Sequence, residues 1–130
     1  MSDRAIIVAD ASAILALLKR EPFGDFDQRR LFGAAISAVN LSEVLEKLRS
    51  GGLSEDEADN AVDELSLGVV DFDASLARVA AYLRPRTRRA GLSLGDRACL
   101  ALALRLGQSV ATADRAWKSL DIGVEAVLIR

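Results

Sequence analysis

Four acidic residues stand where a metal-dependent reaction could use them. Each falls at a predicted strand-to-helix turn or at the start of a predicted helix, and they are Asp10, Glu43, Asp96 and Asp114. In a single parallel sheet such turns share the carboxyl edge, where the ligands of α/β proteins bind. Four carboxylates in one pocket repel each other unless a divalent cation lies between them. The pattern therefore predicts a metal centre able to assist phosphodiester hydrolysis.

The composition limits which catalytic groups and which metals are possible. The 130 residues contain no histidine, which excludes Ser-His and Cys-His devices and the commonest transition-metal ligand. A metal must then be held mainly by oxygen, which favours Mg²⁺ or Mn²⁺ over Zn²⁺. The one cysteine, Cys99, lies in an apolar run and is predicted to be a buried small residue. The net charge of −2 argues weakly against nucleic-acid binding, although local basic patches matter more than the total.

The apolar segments of the chain are short. The longest, such as 98–104, are far below the roughly 20 residues that a membrane-spanning helix needs. No basic-then-apolar leader opens the sequence. We therefore expect a cytoplasmic protein with no membrane partner. The length and the 51% apolar content fit one domain that comprises residues 1–130.

Strands alternate with helices along the sequence. Apolar, β-branched runs predict five strands, at 5–9, 33–39, 68–72, 109–111 and 124–129. Helical periodicity between them gives the order β-α-β-α-α-β-α-α-β-α-β, with Pro85 expected to kink or end its helix. This alternation specifies an α/β fold, a three-layer α/β/α sandwich around a central parallel sheet of about five strands. If the first strand is central and beside the fourth, Asp10 and Asp114 flank the binding crevice, and Glu43 stands beside Asp10.

Helix capping offers each acid a purely structural role. Asp10 and Asp114 precede predicted helices, where an acid commonly caps the first turn. The other two acids occupy the third position of apparent capping boxes, Asn40 to Glu43 and Ser93 to Asp96. The two roles are compatible, because the positive end of a helix dipole keeps a nearby carboxylate ionised. Asp73, an acid that follows the third strand, is assigned to capping alone.

The segments around the acids resemble a known family. VADAS at 8–12, NLSEVL at 40–45, SLGDRACLALA at 93–103 and ATADRAW at 111–117 are similar, in order and spacing, to the motifs of PIN-domain ribonucleases. The closest resemblance is to the VapC-type toxins of bacterial type II toxin–antitoxin systems, and it spans essentially the whole chain. It implies a PIN-like fold and an endoribonuclease, dependent on Mg²⁺ or Mn²⁺, that hydrolyses single-stranded or looped RNA to leave a 5′-phosphate and a 3′-hydroxyl.

The resemblance also implies roles for individual residues. The four acids match the family's metal-binding quartet by position, and Ser12 and Thr112 match the hydroxyl residues that support it. Ser12 could equally be a helix-start residue and Thr112 a β-former at a strand end. The family pattern varies most around the fourth acid, so Asp121 is a remote substitute for Asp114. We expect the first three acids to hold one cation, with Asp114 helping to hold a second or positioning water.

Basic and aromatic side chains supply candidates for substrate contacts. The dense basic cluster before the Asp96 helix either binds RNA phosphates or is a solvated helix end, and it consists of Arg84, Arg86, Arg88 and Arg89. Arg97 and Arg115 directly follow acids and could pair with them or touch RNA. Trp117 could stack on a base or pack in the core.

The early helices are the candidate contact for a protein partner. In VapC-like proteins they form a groove for an antitoxin peptide, so the resemblance implies a cognate VapB-like antitoxin as partner. The candidate contact residues are Phe23, Phe26, Leu31 and Phe32, which ordinary core packing would explain equally. Similarity to the family also suggests a homodimer.

Two other classes of protein compete with the nuclease interpretation. A phosphoacceptor signalling domain would need paired acids after the first strand, an acceptor Asp after the third and a Lys near the last. Asp10 stands alone there, and the chain ends Leu128, Ile129, Arg130 without a Lys. A PIN fold kept as a catalytically silent interaction module would normally have lost an acid, whereas all four are present.

Overall fold

Five short strands form one parallel sheet in the computed structural model, which describes residues 6–130. They are β1 (Val8–Ala9), β2 (Ala35–Ser37), β3 (Gly68–Val70), β4 (Val110–Thr112) and β5 (Ala126–Leu128). The strand order is β3-β2-β1-β4-β5, and every neighbouring pair is parallel. The first strand is central and lies beside the fourth, which is the condition under which Asp10 and Asp114 flank the crevice. Four strands are shorter than predicted, β4 has the predicted length but begins one residue later, and Ala5 of the predicted first strand lies outside the described residues.

Helices connect the strands in the predicted order. The α-helices of residues 6–130 are α1 (Ala11–Leu18), α2 (Ala38–Ser50), α3 (Glu55–Asp63), α4 (Ala74–Thr87) and α5 (Leu94–Leu106). Three short 3-10 helices lie at Gln28–Leu31, Arg88–Ala90 and Arg115–Ser119. The last of these replaces the helix predicted between β4 and β5. Pro85 lies inside α4, which ends two residues later at Thr87.

The sheet separates two apolar clusters. Successive side chains of a strand point to opposite faces, so Val8 packs with Leu100 and Leu102 of α5, whereas Ala9 packs with Ile14 of α1. Helices α1, α2 and α3 cover one face, and α4 and α5 cover the other. The predicted three-layer α/β/α sandwich is thereby confirmed. Between residues 6 and 130 no helix combines the length and apolar character needed to cross a membrane.

The start of α2 differs from the prediction. Ser37 is its N-cap, and the Ser37 Oγ accepts a hydrogen bond from the Val39 amide at 3.2 Å. Two residues assigned to the strand from their apolar character therefore begin the helix instead. The predicted Asn40 to Glu43 capping box is wrong, because Asn40 lies within the first turn and Glu43 lies a turn further on. The carboxylate of Glu43 is consequently not used to cap α2.

The start of α5 matches its prediction. The Ser93 Oγ accepts a hydrogen bond from the Asp96 amide at 3.1 Å, and Asp96 Oδ2 accepts one from the Ser93 amide at 3.0 Å. Ser54 and Glu57 form a capping box of the same kind at the start of α3. These two boxes fix where α3 and α5 begin. The Ser93–Asp96 box also fixes the position of Asp96 in the first turn of α5, at the carboxyl edge of the sheet.

Candidate active site

Asp10 directly follows β1 and is almost fully buried, with 6% of its surface exposed. It occupies the N-cap position of α1, yet its side chain makes no capping hydrogen bond. Its Oδ2 instead accepts hydrogen bonds from the hydroxyls of Ser12 at 2.6 Å and Thr112 at 2.9 Å. Burial raises the pKa of Asp10, the two hydroxyl bonds lower it, and the charge of Asp96 raises it, with a net increase. A buried carboxylate of this kind is stabilised most by a nearby cation.

The same two hydroxyls join the turn that carries Asp10 to the turn that carries Asp114. The Ser12 Oγ accepts a hydrogen bond from the Ala113 amide at 3.0 Å, and the Thr112 Oγ1 accepts one from the Asp114 amide at 3.1 Å. The hydroxyl oxygens of Ser12 and Thr112 are 3.4 Å apart. The structure thus places both residues on the carboxylate of Asp10, where they fix its orientation.

Glu43 lies where α2 crosses the start of α5. The side-chain amide of Asn40 donates one hydrogen bond to Glu43 Oε1 at 2.9 Å and another to the Gly95 carbonyl at 2.9 Å. Gly95 leaves the space that the carboxylate fills, because a Cβ at this position would overlap the Glu43 carboxyl group. Glu43 is therefore held against the residue that precedes Asp96. Asn40 is fully buried, and its Oδ1 has no hydrogen-bond partner within residues 6–130.

Asn40 and Gly95 are site residues that the sequence interpretation missed. The sequence pattern predicts a helix cap at Asn40 and no role for Gly95. Two signals could have indicated them. An Asn three residues before a Glu shares its helical face, and a Gly inside a predicted helix indicates close approach of another group.

One buried thiol, that of Cys99, is influenced by three of the four candidate acids. Cys99 lies one turn after Asp96 on α5 and is fully buried. Burial raises the pKa of its thiol well above the usual value, and the charges of Asp10, Asp96 and Glu43 raise it further. The predicted role of Cys99 as a buried small residue agrees with this environment. The three carboxylates, which come from three separate segments, thus influence one buried group, and the Glu43 carboxyl group lies against Gly95, the residue before Asp96.

Asp114 lies at the rim of this group. Its side chain is exposed, and Oδ1 accepts a hydrogen bond from the Ala116 amide at 3.0 Å, which caps the Arg115–Ser119 helix. Asp10, by contrast, is buried, and Glu43 and Asp96 are half-buried. Asp121, the remote substitute, lies beyond the other end of the same 3-10 helix. The site therefore has three inner acids and one outer acid.

Comparison with known proteins identifies the family. A family model described as PIN domain matches residues 7–123. The chain belongs to the PIN-domain family. No curated protein sequence matches this PIN domain at a significant level.

Solved structures share the same fold. DNA-bound VapBC from Salmonella typhimurium has a TM-score of 0.77 and 19% identity, over 98% of this chain and 100% of that one. VapBC2 from Rickettsia felis, bound to a promoter DNA fragment, has a TM-score of 0.76 and 16% identity, over 97% and 100%. FitAcB from Neisseria gonorrhoeae has a TM-score of 0.65 and 19% identity, over 93% and 96%. At these identities the likeness establishes the fold of the PIN domain.

The donor atoms at this site are of the type that a hard cation prefers. The site presents carboxylate oxygens without imidazole, which suits Mg²⁺ or Mn²⁺. Local hydrogen bonds occupy one oxygen of each of two acids: Asn40 binds one oxygen of Glu43, and the Ser93 amide binds one oxygen of Asp96. In the part of the chain that the structure describes, no three Asp, Glu or Cys side chains form a ready metal cage. The second oxygen of Glu43 and that of Asp96 accept no hydrogen bond within residues 6–130 and are the ones a cation would use.

Two predicted RNA contacts are contradicted by burial. Arg97 is buried, and its Nη1 donates a hydrogen bond to the Ala80 carbonyl at 3.0 Å, so it joins α5 to α4 rather than reaching the surface. Trp117 is also fully buried within the α5 face of the core. The packed alternative for Trp117 is therefore correct, and stacking on a base is excluded. The remaining candidates are exposed: Arg84, Arg86, Arg88, Arg89 and Arg115.

The candidate antitoxin contacts also divide into buried and exposed residues. Leu31 is fully buried in the core and cannot touch a partner directly. Phe32 is 52% exposed. Phe23 and Phe26 are half-buried and stack on each other with ring centroids 6.2 Å apart, while the Arg30 guanidinium lies 5.3 Å from the Phe26 centroid. This segment therefore keeps a partly exposed aromatic surface above the core.

Proposed function

We propose that this PIN domain is a metal-dependent endoribonuclease, formed by a single domain, that acts in the cytoplasm as the toxin of a toxin–antitoxin pair. The placement of the acids carries the proposal: buried Asp10 follows the central strand and is held by Ser12 and Thr112, and the Glu43 carboxyl group lies against Gly95, next to Asp96. Membership of a family whose members are generally nucleases supports it. The fold shared with chains of VapBC structures supports the toxin role.

Each acid has a distinct part in the proposed reaction. Asp10, Glu43 and Asp96 would hold a Mg²⁺ or Mn²⁺ ion, which when bound polarises a phosphoryl oxygen and lowers the pKa of water. Ser12 and Thr112 orient Asp10, because both donate to the same carboxylate oxygen. Asn40 orients Glu43 through its side-chain amide. Asp114, at the exposed rim, either helps to hold a second cation or accepts a hydrogen bond from the attacking water.

The proposed substrate is single-stranded or looped RNA. A reacting phosphodiester must reach carboxylates at an edge of the sheet, and an unpaired strand can bend to present it. Cleavage would leave a 5′-phosphate and a 3′-hydroxyl. We further propose a homodimer and a VapB-like antitoxin that binds the aromatic surface formed by Phe23, Phe26 and Phe32, with Leu31 supporting it from the core.

The test is cleavage of a mixed RNA pool by purified protein that has been freed of antitoxin. Wild-type protein with Mg²⁺ or Mn²⁺ should cleave, whereas EDTA or Asp96→Asn should abolish cleavage. Asp73→Asn is the matched control, because it removes one carboxylate charge at a helix cap away from the site. Cleavage that survives both EDTA and Asp96→Asn would overturn the metal–carboxylate mechanism. A folded wild-type protein that cleaves no RNA would favour a catalytically silent interaction module.

A further inference from the structure

A cavity of about 600 Å³ lies between the end of α4 and the 3-10 helix that follows Asp114. It is lined by residues 85–90 on one wall and by 116 and 119–121 on the other, and we call it the arginine cleft. Its charged lining residues are Arg86, Arg88, Arg89 and Asp121. Three positive charges and one negative charge give the lining a net charge of +2. The cleft is thus a positive cavity on a chain whose total charge is −2.

Two of these arginines are free to bind an anion. The ion pairs of residues 6–130 are formed by other arginines, Arg29, Arg105 and Arg130. Arg86 donates from Nη2 to the Asp121 carbonyl across the cleft at 3.1 Å, which ties the two walls together. Arg88 and Arg89 are exposed and make no side-chain hydrogen bond within the described residues. Their guanidinium groups therefore keep all their donors for a ligand.

Both walls of the cleft lead directly to acids of the proposed active site. One wall ends with the Arg88–Ala90 helix, and after a left-handed turn at Gly91 the chain enters the first turn of α5, which carries Asp96. The other wall is the Arg115–Ser119 helix, which Asp114 caps. The cleft and this acid are in direct contact, because Ala116 lines the cleft and its amide donates to Asp114 Oδ1 at 3.0 Å. A ligand that lies in the cleft therefore has Asp114 beside it.

The chemistry of the two regions favours a phosphodiester strand as this ligand. The acids repel a polyanion, so its binding needs positive charge next to them. Arginine presents a planar fork of donors that matches phosphate oxygens in pairs. An acidic peptide would gain from the arginines but would gain nothing from extending towards the carboxylates. A nucleic-acid strand must extend there, because its scissile phosphate has to reach the metal.

We propose that the arginine cleft binds the sugar–phosphate backbone of the single-stranded substrate, next to the phosphodiester that is cleaved. The inference rests on the proposed nuclease function and adds a substrate subsite to it. Arg88 and Arg89 bind phosphates, and Arg86 holds the opposite wall in place. Arg84 lies outside the cleft, on a smaller neighbouring pocket. Contacts of this kind supply affinity that depends on salt and carries little sequence information.

The test compares Arg88→Ala/Arg89→Ala with a charge-matched control, Lys47→Ala/Arg78→Ala, whose side chains are exposed and lie outside the cleft. Binding of a short fluorescent single-stranded RNA of mixed sequence is measured by anisotropy in EDTA, over a range of salt concentrations. Each lost contact to a single strand lowers the slope of log K against log salt by about 0.7, so the cleft variant should lose about 1.4. That loss corresponds to roughly tenfold to thirtyfold weaker binding at about 0.1 M salt. With Mg²⁺, the same variant should show a higher KM and an unchanged kcat.

Each outcome has a defined meaning. Equal loss of affinity in the cleft variant and the control, or no loss in either, overturns the subsite. Wild-type protein that binds polyglutamate of equal charge as tightly as the RNA assigns the cleft to acidic peptides and also overturns it. Because binding is measured without metal, a protein that binds RNA through the cleft but never cleaves it retains the subsite and loses the proposed function. Matching thermal unfolding of all variants excludes misfolding as the cause.

Discussion

Asp10 and Asp73 occupy the same place in the sequence pattern and lie in opposite environments. Each follows a parallel strand and precedes a helix, at its N-cap position. Asp73 caps α4 through the Leu76 amide at 2.9 Å, and Arg105 donates to both of its oxygens. Its pKa is lowered, first by the Arg105 hydrogen bonds and then by the backbone bond. Asp10 caps nothing, is buried, and has a raised pKa. An acid whose ionised form is stabilised by its neighbours has a structural role. An acid whose ionised form is disfavoured by burial is a candidate for binding a cation.

Asp10→Asn should give the largest effect on activity. We expect RNA cleavage to fall by about 10²–10⁴-fold, because removing a metal-holding or preorganised charged group typically costs that much. In EDTA the same variant should be more stable than wild type by about 0.5–2 kcal/mol, since it no longer ionises a buried carboxyl at neutral pH. Cleavage rates and urea unfolding measure the two effects.

The metal response separates the two aspartates further. Saturating Mg²⁺ or Mn²⁺ should raise the wild-type melting temperature by roughly 5–10 °C, because a ligand that binds only the folded state stabilises it. Asp10→Asn should lose this increase, and Asp73→Asn should retain it. An equal increase in both variants would place the cation elsewhere and break the distinction between the two acids.

Gly95→Ala should reduce activity while leaving stability intact. A Cβ at position 95 overlaps the Glu43 carboxylate, which must leave its present position. The carboxylate ends a flexible side chain, and Ala is favoured over Gly in a helix by up to about 1 kcal/mol, so the unfolding free energy should stay level or rise. We expect cleavage to fall by at least about tenfold, as misplacement of a catalytic group by about 1 Å can cost 10²-fold.

Gly51→Ala provides the matched control for this prediction. Gly51 is the C-cap of α2, the helix that carries Glu43; it has a φ of −80°, and a Cβ there would meet only ordinary contacts. It should leave cleavage unchanged. Full activity of Gly95→Ala would show that the position of Glu43 against α5 is not needed for the reaction.

The sequence predicted a parallel sheet of five strands and the acids at their ends, because both depend on local patterns that packing reinforces. Apolar runs and turn residues specify β1 and β4, and acids at their ends must meet if the strands are neighbours. The start of α2 was mispredicted because Ala38 and Val39 continue an apolar run that is typical of a strand. In the structure, the Ser37 cap and the packing of α2 place both residues in the helix. Packing of Trp117 in the core was one of two alternatives from the sequence, but the burial of Arg97 could not be predicted, because it depends on how α4 and α5 pack.

Asn40→Ala tests whether the inner acids need their supporting side chains. Asn40 is fully buried and joins Glu43 to the Gly95 carbonyl, so its truncation removes two hydrogen bonds. We expect a loss of about 1–3 kcal/mol in unfolding free energy and a fall in kcat with little change in KM. Asn60→Ala, on the exposed surface of α3, is the control and should change neither. A kcat equal to wild type would leave Asn40 with a purely structural role.

Asp73→Ala should give the smallest effect, confined to folding. Loss of the α4 cap and of the Arg105 pair should lower the melting temperature by a few degrees, because an N-cap substitution by Ala is mildly destabilising. The pKa of Asp73 is lowered from 3.8 in the folded chain, so its contribution is present above pH 3.8 and is lost as the pH falls through the lower folded value. Thermal unfolding of wild type and variant should therefore converge in strong acid. A difference that persists there would assign the effect to packing, and reduced RNA cleavage by Asp73→Ala would extend the functional acids beyond the Asp10 edge.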